Sequence, residues 1–189
     1  MSRCTMSLKL APLVAAALFA ATQAQATTQL VTFNVLNATA TLQNPLQLGD
    51  TLHLNTFVSG EVGSLLQTIN FTVGPNVNLL SGQAVWEVGT AAGPGPRLTG
   101  VNIDIFNATT NALVTSDSFA GVLGNFAVST FASSFAPGNY RLVATGTGVR
   151  ESSLDVTINF VAAAVPEPGT YGLMLAGLAA VGLVARRRR

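Results

Sequence analysis

Charge, cysteine and histidine are all scarce in this chain of 189 residues. Charged residues make up 9% of it, against roughly a quarter of an ordinary soluble domain. The one cysteine, Cys4, lies near the amino end, and the one histidine is His53. This composition argues against a disulfide scaffold and against a zinc site, which takes three or four histidine, cysteine or carboxylate ligands. We therefore expect no metal site and no cofactor.

The few charges are segregated along the chain. Arg3 and Lys9 lie at the start and four arginines at the end, while between Thr27 and Val165 three arginines stand against seven acids. The central part therefore has a net charge of about −4. Because it has no basic patch that would neutralise phosphates, we do not expect it to bind nucleic acid.

The amino end has the three parts of a secretory signal peptide. Two basic residues among the first nine precede an apolar run at residues 10–21, and Ala24-Gln25-Ala26 follows in small-x-small order. We expect residues 1–26 to form a signal helix that enters the Sec export machinery and is cleaved after Ala26. The alternative is a short membrane anchor or a buried helix. Cys4 precedes the apolar run, which argues against lipidation.

The carboxyl end carries a second ordered series of features. Val165-Pro166-Glu167-Pro168-Gly169 resists helix formation because of its two prolines, and an apolar run follows at residues 171–185. A helix of that length is about 22 Å long, which is marginal for a hydrocarbon core of about 30 Å. The last four residues are Arg186, Arg187, Arg188 and Arg189. We predict a short transmembrane helix with a cytoplasmic arginine stop, the alternative being a basic tail that binds nucleic acid.

This series resembles the PEP-CTERM sorting domain of Gram-negative bacteria over residues 164–189. In that resemblance Pro166, Glu167 and Pro168 are the sorting motif, and the four terminal arginines hold the tail in the inner membrane for a limited time. The resemblance implies recognition by an exosortase, a membrane-embedded cysteine protease or transpeptidase. It also implies processing near the motif, followed by release or attachment at the cell surface.

Residues 27–163 have the pattern of an all-β domain. Residues 101–107 and 154–160 alternate in side-chain character with a period of two, which is typical of half-buried strands. Further strand-like stretches cover residues 29–36, 51–58, 65–73, 84–88, 125–131 and 140–146, with a weaker one at 112–119. Turns containing glycine and proline separate them. We predict an antiparallel two-sheet β-sandwich, jelly-roll-like, between the two terminal helices.

Part of this domain also resembles a subset of PEP-CTERM proteins that carries a Phe-x-Asp-x-Phe-x-Phe strand. Within residues 65–71 only Phe71 fits that pattern, and Gln67 stands at the position of the aspartate. Residues 135–148 are similar to the subset's Gly-x-Tyr strand and glycine-rich hairpin. The resemblance implies no particular biochemistry for the domain.

Candidate catalytic residues are few. His53 lies in strand-like sequence without a nucleophile motif such as G-x-S-x-G, so a structural or surface role is favoured. The acids are scattered and match no calcium-binding loop. Trp86 is expected to pack in the core, the alternative being that it stacks on a sugar ring.

We therefore expect a non-enzymatic protein of the cell surface or extracellular matrix that associates with exopolysaccharide. One alternative is a secreted carbohydrate-binding or carbohydrate-active protein that uses the same export route. It predicts a concave site lined by Trp86 or Tyr140 together with a carboxylate. Another alternative is a permanent single-pass membrane protein that keeps its tail.

Overall fold

The computed structural model describes residues 25–89 and 97–162, together with the single positions 175 and 178. Within these residues the chain forms β1 (Thr28–Phe33), β2 (Asn37–Thr41), β3 (Thr51–Val58), β4 (Gly63–Val73), β5 (Leu79–Glu87), β6 (Leu98–Asn107), β7 (Leu113–Ser116), β8 (Ser118–Leu123), β9 (Phe126–Ser134), β10 (Gly138–Gly148) and β11 (Ser152–Val161). Apart from residues 25, 26, 175 and 178, the predicted signal helix and transmembrane helix fall outside the described residues. In the described part, no helix has the length and apolar character needed to cross a membrane.

The strands form two sheets. The six-stranded sheet has the order β1-β3-β11-β5-β9-β8, and the five-stranded sheet has the order β2-β4-β10-β6-β7. Each of the first six strands lies in the sheet opposite to that of the strand before it, and β9, β10 and β11 alternate in the same way. Most neighbours within a sheet are therefore distant in sequence, the exceptions being the consecutive pairs β6-β7 and β8-β9. The prediction of an all-β fold with two sheets is confirmed.

The prediction of purely antiparallel sheets is wrong at one side of the sandwich. β1 pairs in parallel with β3, and β2 pairs in parallel with β4. Residues 29–36, predicted as one strand, instead leave the six-stranded sheet after Phe33 and enter the other sheet at Asn37. The direction in which a strand pairs depends on how the chain connects it to the next strand. Because β1 continues into β2 of the facing sheet and does not turn back in a hairpin, the alternation of its side chains does not predict parallel or antiparallel pairing.

Side chains from both sheets meet in one hydrophobic core. β11 buries Leu154, Val156, Ile158 and Phe160 on one side, as its period-two pattern predicts. Phe71 of β4 meets Phe160 edge-on from the facing sheet, with ring centroids 5.9 Å apart. This packing fixes which side of each strand faces the core, and therefore which side chains remain on the outer faces.

One amide joins the two sheets inside the core. Gln67 of β4 is wholly buried. Its Oε1 accepts a hydrogen bond of 2.7 Å from the Thr56 hydroxyl of β3, and its Nε2 donates to the Val35 carbonyl at 2.8 Å. Through these two hydrogen bonds, Gln67 is a structural link between the sheets.

Candidate functional site

The outer face of the six-stranded sheet is polar along its three adjacent strands β3, β11 and β5. Alternate residues of these strands point away from the core because the residues between them fill it. We name seven polar members of this outward set the polar face. It consists of His53, Asn55, Ser81, Gln83, Asp155, Thr157 and Asn159. Imidazole, hydroxyl, amide and carboxylate groups thus share one exposed surface.

The strand register brings these side chains into rows. Thr157 lies opposite His53 on one side and opposite Gln83 on the other, and Asn159 lies opposite Ser81. Adjacent strands are about 4.8 Å apart, so each row spaces its polar groups at roughly that interval. A shallow open groove of about 430 Å³ lies over β5 and β11. Its lining consists of Ser81, Gly82, Gln83, Val85, Asp155, Thr157 and Asn159.

His53 has an acidic neighbour on this face. Its Nε2 lies 3.5 Å from Oδ1 of Asp155, and the two side chains are 36% and 47% exposed. That distance is long for a hydrogen bond, and water screens the pair at this exposure. The sequence favoured a structural or surface role for His53, and the structure has it on a sheet surface. Among the described residues, no serine, threonine or cysteine is hydrogen-bonded to it.

An exposed aromatic ring borders the polar face. Phe57 follows His53 and Asn55 on the outward side of β3, lies opposite Ser153 and is 50% exposed. An aromatic ring beside hydrogen-bonding groups gives a ligand both an apolar and a polar surface. Sequence analysis did not single out Phe57, because the order of the strands in the sheet decides what lies beside it.

Tyr140 does not line an open site. Its side chain is 4% exposed, and its hydroxyl donates to the Ala136 carbonyl at 2.6 Å. The ring stacks against Phe71 and meets Phe135 edge-on. The expectation that Tyr140 lines a carbohydrate site is therefore wrong, since the ring is part of the core.

Trp86 is also a core residue and is 6% exposed. It reaches the edge of a second open pocket, of about 370 Å³, which Asp117 and Phe119 also line. The Asp117 carboxylate accepts a hydrogen bond of 2.8 Å from the Ile103 backbone N–H. The indole therefore packs as its sequence context predicts, and the nearby carboxylate has a structural partner.

Other acids also have local partners. The Glu61 carboxylate accepts a hydrogen bond from the Leu36 backbone N–H at 2.9 Å, and Glu87 lies 3.2 Å from the Arg97 guanidinium. Within residues 25–89 and 97–162, no three or more histidine, cysteine or acidic side chains are grouped in a way that would hold a metal ion.

The residues predicted to direct sorting lie at the two ends of the chain. Pro166, Glu167, Pro168 and the arginines at 186–189 are outside the described residues. Ala26, the predicted cleavage point, is described and is exposed just before β1.

These features define a class of protein: an all-β domain of two sheets, followed by a sorting tail. Residues 164–189 match the family model of the PEP-CTERM protein-sorting motif. The chain is therefore a PEP-CTERM domain-containing protein, exported, targeted to an exosortase and sorted at the membrane toward the cell surface.

Among solved structures, the chain is similar to the pre-peptidase C-terminal domain of collagenase from Bacillus anthracis. The two are 12% identical, the match covers 67% of this chain and 99% of that one, and the TM-score is 0.37. A similarity of this extent gives no information about function. A search of curated proteins found no match.

Proposed function

We propose that this PEP-CTERM protein is a non-enzymatic component of the cell surface or extracellular matrix of a Gram-negative bacterium, and that its polar face binds exopolysaccharide. The observation that supports this most is the group of outward hydroxyls and amides in adjacent rows over β11 and β5. Gln83, Thr157 and Asn159 are its central members.

The proposed route follows the ends of the chain. Residues 1–26 lead the protein out through the Sec machinery and are removed after Ala26. Residues 164–189 hold the intermediate in the inner membrane until processing near Pro166, Glu167 and Pro168. Residues 27–163 are the working domain. Its central strands, β3-β11-β5-β9 facing β4-β10-β6-β7, have the order expected of a jelly roll.

The chemistry of the polar face suits a neutral polysaccharide. Sugar hydroxyls both donate and accept hydrogen bonds. The Gln83 amide offers donors and an acceptor, and the Asn159 amide offers its N–H groups, while its Oδ1 accepts from the Thr51 hydroxyl at 3.1 Å. The net charge of about −4 between Thr27 and Val165 disfavours a strongly acidic polymer through repulsion. Phe57 adds an exposed ring on which the apolar face of a sugar can lie.

Removing the two amides is expected to weaken polysaccharide binding. Each lost hydrogen bond contributes about 1 kcal/mol, so the double variant Gln83→Ala/Asn159→Ala is expected to bind roughly tenfold or more weakly. The measurement is retardation of the mature protein in native gels that contain exopolysaccharide from the producing strain. A matched control, Asn70→Ala/Asn102→Ala, removes two amides from the five-stranded sheet and is expected to bind normally. Equal retardation of both double variants and the unaltered protein would exclude the polar face as the binding surface.

The approach of His53 to Asp155 supports a second candidate, a carbohydrate-active enzyme. An imidazole beside a carboxylate is a possible proton-transfer pair. This candidate predicts that the mature protein releases new reducing ends from the polysaccharide, and that His53→Ala abolishes their release. Binding without release of reducing ends favours the non-enzymatic proposal.

A further inference from the structure

Asp50 is a buried acid that is not part of the polar face. It lies directly before β3, after a turn at Gly49, and is 4% exposed. A buried carboxylate is costly unless several donors surround it. The groups that donate hydrogen bonds to the Asp50 carboxylate therefore indicate which ligand this site binds.

Three donors point at the Asp50 carboxylate. Oδ2 accepts a hydrogen bond of 2.7 Å from the Gln47 backbone N–H. Oδ1 accepts one from the Thr27 backbone N–H and one from the Thr27 hydroxyl, both at 2.8 Å. The Thr27 carbonyl in turn accepts a hydrogen bond from the Thr51 N–H at 2.8 Å. Thr27 is thus held at both its nitrogen and its carbonyl.

All three donors are neutral in the uncleaved chain. The ion pairs that join described residues connect His53 with Asp155, and Arg97 with Glu87 and Glu151, so none of them includes Asp50. A hydrogen bond to a buried carboxylate is considerably stronger when its donor carries a positive charge.

Thr27 is the first residue after Ala26, where the small-x-small sequence predicts cleavage. Hydrolysis of the Ala26–Thr27 peptide bond consumes one water, and it leaves a carboxylate on Ala26 and an amine on Thr27. The amine takes up a proton at neutral pH, since α-amino groups titrate near pH 8. The nitrogen that becomes this ammonium already lies 2.8 Å from Oδ1 of Asp50.

We propose that Asp50 is the binding site for the amino terminus that cleavage after Ala26 creates. The new ammonium takes the place of the amide N–H and makes a charge-assisted hydrogen bond. This bond fixes the start of β1, an edge strand of the six-stranded sheet, to the start of β3. The proposal depends on the cleavage position and is independent of polysaccharide binding by the polar face.

The sequence offers a selective chemical probe of this site. The one lysine, Lys9, precedes the cleavage point, so the α-amine is the one primary amine of a chain that begins at Thr27. The probe is an N-hydroxysuccinimide ester of acetic acid applied to the exported protein, with intact mass as the readout. In the folded protein the amine is expected to react about tenfold more slowly than in the urea-unfolded protein, because Asp50 holds it as the ammonium.

Two variants distinguish a specific effect of the Asp50 carboxylate from a general effect of removing one negative charge. Asp50→Asn is expected to restore rapid acetylation, whereas Asp155→Asn, a matched change on the polar face, is expected to leave the slow rate unchanged. Acetylation carried out in urea, followed by refolding, is expected to lower the thermal midpoint by about 3–6 °C, because the ammonium is lost.

Equal acetylation rates in the native chain and in Asp50→Asn would overturn the proposal, as would a mature chain that begins at another residue. Should Asp50→Asn fail to fold, the thermal midpoints of the acetylated and unmodified native proteins decide the question. A lower midpoint after acetylation supports the site, and an unchanged midpoint overturns it.

Discussion

Replacing Gln67 with alanine will lower the free energy of unfolding of the mature protein by about 3–5 kcal/mol. Gln67 is wholly buried and joins the sheets through Thr56 and the Val35 carbonyl. The alanine variant loses buried methylene groups and leaves a cavity. It also leaves the hydroxyl of Thr56, which is 2% exposed, without its acceptor. Urea unfolding followed by tryptophan fluorescence measures the loss, since Trp86 is the one tryptophan and lies in the core.

Two further variants separate the role of Gln67 from a general sensitivity to glutamine removal. Thr56→Val keeps the shape of the side chain but leaves Oε1 of Gln67 unpaired, so we expect a loss of about 1–3 kcal/mol. Gln83→Ala removes an exposed glutamine from β5 and is expected to change stability by about 0.5 kcal/mol or less. A loss of under about 1 kcal/mol for Gln67→Ala would show that the hydrogen bonds of this amide do not link the sheets energetically.

Deleting residues 164–189 will prevent delivery to the cell surface without preventing export. These residues match the sorting motif, and the deletion leaves the predicted signal sequence in place. Fractionation of cells is expected to find the truncated protein in the periplasm or the medium and to find little of it at the surface. An unchanged distribution would mean that the domain reaches the surface by another route.

Substitutions within the tail test its parts separately. Moving one arginine to the middle of a membrane costs about 3 kcal/mol on insertion scales, so four present a barrier on the order of 10 kcal/mol. Replacing all four terminal arginines with alanine is therefore expected to abolish retention before processing. The matched change to four lysines keeps the charge and is expected to preserve retention in the membrane. Pro166→Ala/Pro168→Ala is expected to block processing and leave the precursor in the membrane.

The strands whose side chains alternate most regularly could be predicted from the sequence. Residues 51–58 coincide with β3, and residues 154–161 fall within β11. In both strands every second residue faces the core, and all of these inward residues are apolar except Ser152 and Thr56, so the pattern and the fold have the same cause. The sorting tail was also predictable, because its three features are contiguous and do not depend on tertiary structure. The family match over residues 164–189 confirms the sorting motif.

Other features depend on contacts that a linear pattern does not contain. Residues 112–119, predicted as one weak strand, are divided at Asp117 between β7 and β8, which belong to different sheets. The first half of β5 went unpredicted because Ser81, Gly82 and Gln83 show no apolar alternation. The polar face itself arises from the order of strands, which places His53, Gln83 and Thr157 side by side although they are distant in sequence.

Mass spectrometry of both ends of the mature protein, made separately on cell-surface and culture-medium fractions, tests the sorting route most directly. We predict a chain that begins at Thr27, ends near Pro166, Glu167 and Pro168, and lacks the four terminal arginines. Surface or secreted protein that still ends at Arg189 would contradict this route and favour a permanent single-pass membrane protein.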